Sequence, residues 1–400
     1  MKKVIYVFVV CAILVSITYY GYTHPEFANN IVKSIYEWYE EKYGEKLPEY
    51  NSEFVINSLV EKSDTYYYNT LTDNQKKIYV SVANAVKNLN TNFELIGYEY
   101  IDEETASKDI EVGVYKFLLD HPEAFYTNDK YMISTTTNIF GTKINLILEY
   151  LVSSHEELNY KISEVNKNID KVLSNVIDRN SEFYTELGIH DYIAKNTKYY
   201  DYENIDDIPI NCHNIYGTLV ENSAVCDGFA KSMKLILNRC GIESIVVTGD
   251  LKNESHAWNL VKINDNWYNL DLTSNKSIKN DVNSYVIHSY FNITDELLSK
   301  SHTFDEKEIL PKCESTEMYY YIVKNKVINS TDVFQYKFTE IVNNSKNDEL
   351  LEFSTDVINV PDKISTELSY RHYNSEYVDK NSSRFSYYNV LNTYVLLKLR

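Results

Sequence analysis

The stretch from Ala224 to Leu272 constrains this chain more than any other. Phe229, Met233, Ile236 or Leu237, and Cys240 recur at helical spacing, and Gly241 closes that pattern. Three β-branched and aromatic runs follow, Ile242 to Thr248, Ser255 to Ile263 and Asn266 to Leu272, the last two separated only by Asn264-Asp265. A two-residue Asn-Asp loop predicts a tight hairpin, so one helix must pack on an antiparallel sheet. The loop also sets the register. If Ile263 faces Asn266, His256 lies opposite Thr273 and diagonal to Asp271, within reach on one face. Ala257, Val261, Ile263, Tyr268, Leu270 and Leu272 fall on the other face and read as core.

Cys226 begins the helix. Unpaired N–H groups and the helix dipole there favour a thiolate, and Gly228 is expected to leave room for a substrate near the backbone. Position alone favours the first residue of the core stripe and does not decide the role. A thiolate nucleophile needs a proton acceptor, and the acceptor needs a group that fixes its tautomer. His256 and Asp271 are the candidates, in the chain order Cys, His, Asp.

The segments "IHDYIAKNTKYYDYEN", "IYGTLVENSAVCDGFAKSMKLILNRCGIESIVVTGD" and "HAWNLVKINDNWYNLDLTS", from about Ile189 to Lys276, resemble the transglutaminase-like core, a relative of the papain fold. The flanks "YYYNTLTDNQKKIY" and "YFNITDELLSKSHTFD" are similar to the branch found in exported proteins of Gram-positive bacteria. The resemblance implies Cys226 as nucleophile, His256 as base and acid, and Asp271 as orienter of the imidazole. It also implies that the backbone N–H of Cys226 helps hold an oxyanion, with Tyr216, His213 and Trp258 as candidates for a second donor or a substrate contact. One departure stands out. The branch usually continues D-x-T-W-D-D-P, whereas this chain reads Asp271-Leu272-Thr273-Ser274-Asn275-Lys276. The implied activity is attack on a protein or peptide amide through a thioester, giving cross-linking, deamidation or hydrolysis. Two rivals share the fold: a non-catalytic surface or binding module, and a cell-wall peptide hydrolase.

Composition narrows the partners. A net charge of −19 repels a phosphate backbone, so no nucleic acid is expected. Five Cys without C-x-x-C spacing give neither a disulfide framework nor a zinc ribbon, and no metal or cofactor is predicted. Cys240 reads as a buried thiol, Cys313 as inert, Cys11 as apolar filler, and Cys212 could pair with another Cys. His190 and His302 lie in similar segments but outside the implied triad, and a packing or capping role is expected of each. Asp201, Asp206 and Asp207 read as a solvated loop.

Lys2 and Lys3 precede an apolar run from Val4 that ends at Tyr19 and Tyr20, with no clear cleavage site after it. Its 17 residues would span about 25 Å as a helix, suiting an uncleaved anchor that leaves the bulk of the chain outside the cell, or else an export signal. Beyond it, helices are expected over 26–43, from the Thr72 to Gln75 capping box, over 109–120 and from Ser154. Strands are expected from Tyr131 to Thr136 and from Ile144 to Tyr150. The tail should hold strands from Ile322 to Ile328, Leu351 to Phe353 and Tyr394 to Leu399 around a helix near 331–343, with surface loop at 373–390. The fold class is therefore α+β: residues 1–22 signal or anchor, 23–180 mostly helical, 181–312 a papain/transglutaminase-like core, and 313–400 a small α+β domain.

Overall fold

A computed structural model describes residues 46–138, 141–275, 286–344, 351–357, 384–391 and 393–399, with residues 30, 33–38, 42 and 44. The apolar run from Val4 to Tyr20, with Cys11, lies outside the described residues, and so does most of the helix expected over 26–43. Among the described residues no helix is long and apolar enough to cross a membrane. Two compact units are present: Tyr67–Leu118 and Tyr126–Ser153 with the residues up to Ile56, and Asn57–Tyr66, Leu119–Phe125 and everything from Ser154 onward.

In the first unit α1 (Asp73–Asn88) starts at the capping box: Thr72 accepts from the Gln75 backbone N–H, and the Gln75 side chain accepts from that of Thr72. Its apolar face, including Ile78, Val82 and Val86, is buried. Helix α2 (Glu103–Asp120) begins six residues before the expected start, because Asp102 accepts from both the N–H and the hydroxyl of Thr105. Strands β1 (Asn92–Glu94), β2 (Thr127–Asn138) and β3 (Gly141–Tyr150) form a sheet in the order β1-β3-β2. Both strands expected from the sequence are present and longer than their expected bounds, and the short β1 joins them.

In the second unit α3 (His155–Ser174) buries its stripe Leu158, Ile162, Val165, Ile169 and Val172. It belongs to the same unit as the helix that starts at Cys226, although the sequence reading assigns it to the N-terminal domain. After α4 (Glu182–Asn196) comes α5 (Cys226–Arg239), whose Phe229, Met233, Ile236 and Leu237 are fully buried. Each such side chain contributes about 1.5–3 kcal/mol of burial. Helix α5 packs on an antiparallel sheet of β4 (Ser244–Leu251), β5 (Glu254–Ile263), β6 (Asn266–Leu270), β7 (Phe291–Ile293) and β8 (His302–Phe304). The order is β8-β4-β5-β6-β7. Asn264 and Asp265 both take left-handed backbone angles, φ 47° and 65°, and Ile263 faces Asn266 as the two-residue turn requires.

In the tail, β9 (Val327–Ile328) runs parallel to β10 (Leu351–Thr355), and β11 (Arg384–Val390) and β12 (Thr393–Leu399) complete a four-stranded sheet under α6 (Phe334–Asn344). Phe334, Phe338, Ile341 and Phe353 form its core. Residues 384–390, expected as loop, are strand: they pair with β12 along their whole length, and Phe385, Tyr387, Tyr388 and Val390 are residue types that favour strands.

Candidate active site

Cys226 is half-buried at the first turn of α5. Val225 precedes it in extended conformation and donates its N–H to the Cys212 carbonyl at 3.0 Å, which fixes where the helix starts. The glycine two residues on serves that docking. A Cβ on Gly228 would collide with the same Cys212 carbonyl, so the missing side chain admits the preceding backbone rather than a substrate, which corrects the sequence reading.

His256 comes from β5 and Asp271 from just beyond β6. The last strand ends at Leu270, and Asp271 precedes a one-turn helix, Leu272–Asn275, instead of continuing the ladder. His256 Nε2 lies 3.0 Å from Asp271 Oδ2. With Nε2 committed to the carboxylate, Nδ1 is the ring nitrogen left for the hydrogen bond that the imidazole makes with the Cys226 side chain. Burial disfavours charge on His256, but the Asp271 carboxylate and the contact with Cys226 outweigh it and raise the ring to about 10. Asp271 is fully buried. Burial works against its charge too, yet the adjacent imidazoles hold its carboxyl well below the usual carboxylate range. The structure thus brings together the three residues that the sequence proposes.

The secondary candidates lie elsewhere. The Tyr216 hydroxyl donates to Glu164 at 2.6 Å and its ring stacks on Phe125, so Tyr216 anchors α3. His213 sits 3.1 Å from Asp227, whose other oxygen pairs with Lys231, in a partly exposed cluster beside the helix start. Trp258 is 1% exposed and donates its indole N–H to Asn269, which makes it the floor under His256 and not a substrate contact. Cys212, Cys226, Cys240 and Cys313 are free thiols.

Two neighbours were not assigned to the site from sequence. Tyr199 stacks on Phe229 from α5 and lies close enough to Cys226 to feel its charge. Burial first, then Cys226 and Tyr202, push its phenol far above the ordinary range, so it remains a neutral hydroxyl beside the sulfur. Its signal was present in the "KYYDYEN" segment. The second is His302 on β8, whose Nε2 lies 3.1 Å from the same Asp271 oxygen that holds His256. His256, Asp271 and His302 also offer three closely spaced metal donors, as do His190, Asp191 and His288. In both groups those atoms already bond to one another, at 3.0–3.1 Å.

Residues 171–272 match the family model of the transglutaminase-like superfamily. The chain carries a transglutaminase-like domain. The matched stretch contains Cys226, His256 and Asp271, whereas His302 and the C-terminal sheet lie outside it. A transglutaminase crystal structure aligns at 16% identity and a TM-score of 0.28, covering 50% of this chain and 52% of that one. A structure described as a candidate cysteine protease from Cytophaga hutchinsonii aligns at 16% identity and a TM-score of 0.23, covering 37% and 63%. The chain therefore spans less than two thirds of either structure. No curated protein matches it.

Proposed function

We propose that the transglutaminase-like domain is a thiol-dependent enzyme acting on protein or peptide amides outside the cell. The single observation that carries this reading is the imidazole of His256, bonded through one nitrogen to buried Asp271 and through its other edge to Cys226 at a helix start. The His256 ring holds its proton through the neutral range, and the Cys226 sulfur attacks the amide carbonyl. The carbon–sulfur bond forms, the amide C–N bond breaks, and His256 delivers its proton to the departing amine. Water or an amine then attacks the thioester carbonyl and passes its proton to His256 as the C–S bond breaks. The backbone N–H of Cys226, at the start of α5, would help hold the developing oxyanion; that of Gly228 is already taken by Asp227 Oδ1 at 3.0 Å. Water as acceptor gives hydrolysis or deamidation, and a lysine amine gives a cross-link. The extracellular setting rests on Lys2, Lys3 and the apolar run that follows them.

Iodoacetamide at near-neutral pH should modify Cys226 faster than Cys240, whose thiol burial pushes up. Cys226→Ala should abolish turnover and leave the fold intact. Casein with a labelled amine, run beside peptidoglycan peptides, separates transfer from cell-wall hydrolysis. Equal labelling of Cys226 and Cys240, with no turnover in either assay, would refute the reading and leave a binding module.

A further inference from the structure

Asp271 has three donors. Its Oδ1 accepts the Ser274 backbone N–H at 2.9 Å, while Oδ2 accepts from His256 Nε2 at 3.0 Å and from His302 Nε2 at 3.1 Å. His302 is 2% exposed and arrives from the sheet edge: β8 pairs with β4, placing His302 opposite Leu251. Gly249 makes this approach possible. It lies across from His256 on one side and Phe304 on the other, and a side chain there would strike the Thr303 carbonyl and the Trp258 ring. The rings of His256, Trp258 and His302 close over that gap with centroids 5.2–6.2 Å apart.

The tautomer of His302 follows from its other contact. Ser301 has one proton to give, and His302 Nδ1 at 2.8 Å is a nearer acceptor than the Leu298 carbonyl at 3.4 Å, while the Tyr290 hydroxyl lies 3.2 Å from the same Ser301 oxygen. The His302 ring proton therefore sits on Nε2 and points at Asp271.

We propose that His302 is a positioning residue: its Nε2–H, fixed by Ser301, holds the Asp271 carboxylate in the orientation that aligns His256 with Cys226. The inference rests on the acyl-transfer reading above. A carboxylate held by one imidazole and one backbone N–H can pivot about its Cγ; a second ring on Oδ2 removes that freedom and takes up part of the charge that would otherwise act on His256 alone.

The test compares wild type with His302→Phe, which fills the space without a donor, His302→Gln, which returns an N–H at the position of Nε2, and Ser301→Ala. Two readouts are used: the rate of Cys226 alkylation by iodoacetamide at pH 7, and the titration midpoint of the His256 ring by NMR. His302→Phe should slow alkylation about tenfold and move the midpoint upward by about half to one pH unit, since a carboxylate stripped of a donor attracts the imidazolium more strongly. His302→Gln should restore both, and Ser301→Ala should shift both in the same direction by less. If His302→Phe fails to fold, Ser301→Ala against His302→Gln carries the comparison. An unmoved midpoint in a folded donor-less variant, or His302→Gln matching His302→Phe, overturns the proposal. Slow wild-type Cys226 labelling would sink the proposed function instead, and the His256 midpoint would still decide the role of His302.

Discussion

Glu186, on α4, offers a sharp test of how burial governs this unit. It is fully buried, accepts one hydrogen bond from the Asn292 amide at 2.7 Å through Oε2, and has no partner for Oε1. Burial, with a smaller push from the Glu182 charge, overrides that hydrogen bond and raises the carboxyl from 4.5 to about 8. The native state therefore keeps a proton that the unfolded chain releases. Stability from this group is fully present below pH 4.5, is lost progressively as pH rises, and levels off above about 8, where both states are ionised. At about 1.4 kcal/mol per pH unit, the penalty reaches roughly 3 kcal/mol at pH 7 and about 5 kcal/mol at pH 8. Glu186→Gln removes the titration and keeps an oxygen to accept from the Asn292 amide. Thermal and urea unfolding of both proteins from pH 4.5 to 9 should show the curves close together at the acid end and diverging with pH. The variant should melt about 6–12 °C higher at pH 7. Parallel curves across that range would show that Glu186 is ionised at no cost and that the argument from burial fails.

Asp271→Asn removes the charge that holds the imidazolium, so the His256 midpoint should fall from about 10 toward the ordinary histidine value; Cys226 alkylation at pH 7 should slow by roughly 10² or more. Lys234 is fully buried between Asp64 at 3.0 Å and Asp120 at 3.5 Å, so Lys234→Met removes the ammonium that bridges the two carboxylates. Urea unfolding should register a loss of about 3–5 kcal/mol. Gly228→Ala drives a methyl into the Cys212 carbonyl, and alkylation of Cys226 should slow as the start of α5 is displaced, measurable by mass spectrometry.

The hairpin was legible because its determinants are local. Asn264-Asp265 tolerates two consecutive left-handed residues, and once Ile263 faces Asn266 the pleat carries His256 toward Asp271. The capping box at Thr72 and the N-cap at Ser154 were legible for the same reason. What escaped reading depends on pairing across long separations. His302 reaches Asp271 only because β8 joins the far edge of β4, a contact that no spacing within "SKSHTFD" announces. Residues 384–390 carry Phe385, Tyr387, Tyr388 and Val390, all common in strands, but the Asn- and Ser-rich stretch before them drew the whole segment into a loop reading. Tyr216 misled for the opposite reason: its proximity to Cys226 in sequence is real, but the hydroxyl is drawn to Glu164 on α3.

The departure from D-x-T-W-D-D-P acquires a physical account in the short turn after Asp271. Asn275 occupies the fifth position of that pattern, and its Oδ1 accepts the Tyr290 backbone N–H at 2.8 Å. That bond fixes the amide, so the NH2 group faces His190 Nε2 at 3.2 Å and His190 must carry its proton on Nδ1, where it donates to Asp191 at 3.0 Å. Burial keeps His190 below its ordinary value and hence neutral, while His288, gripped by Asp191 and Glu352, overcomes burial to reach about 9 and carries the positive charge. An acid at position 275 would face a ring nitrogen without a proton and add a further negative charge near the Asp191 and Glu352 carboxylates. The amide suits the tautomer instead. Asp271 meanwhile depends on Ser274 only for a backbone N–H, which any residue but proline supplies. Ser274 and Asn275, in place of the pattern's Trp and first Asp, therefore leave the anchoring of the Asp271 carboxylate intact.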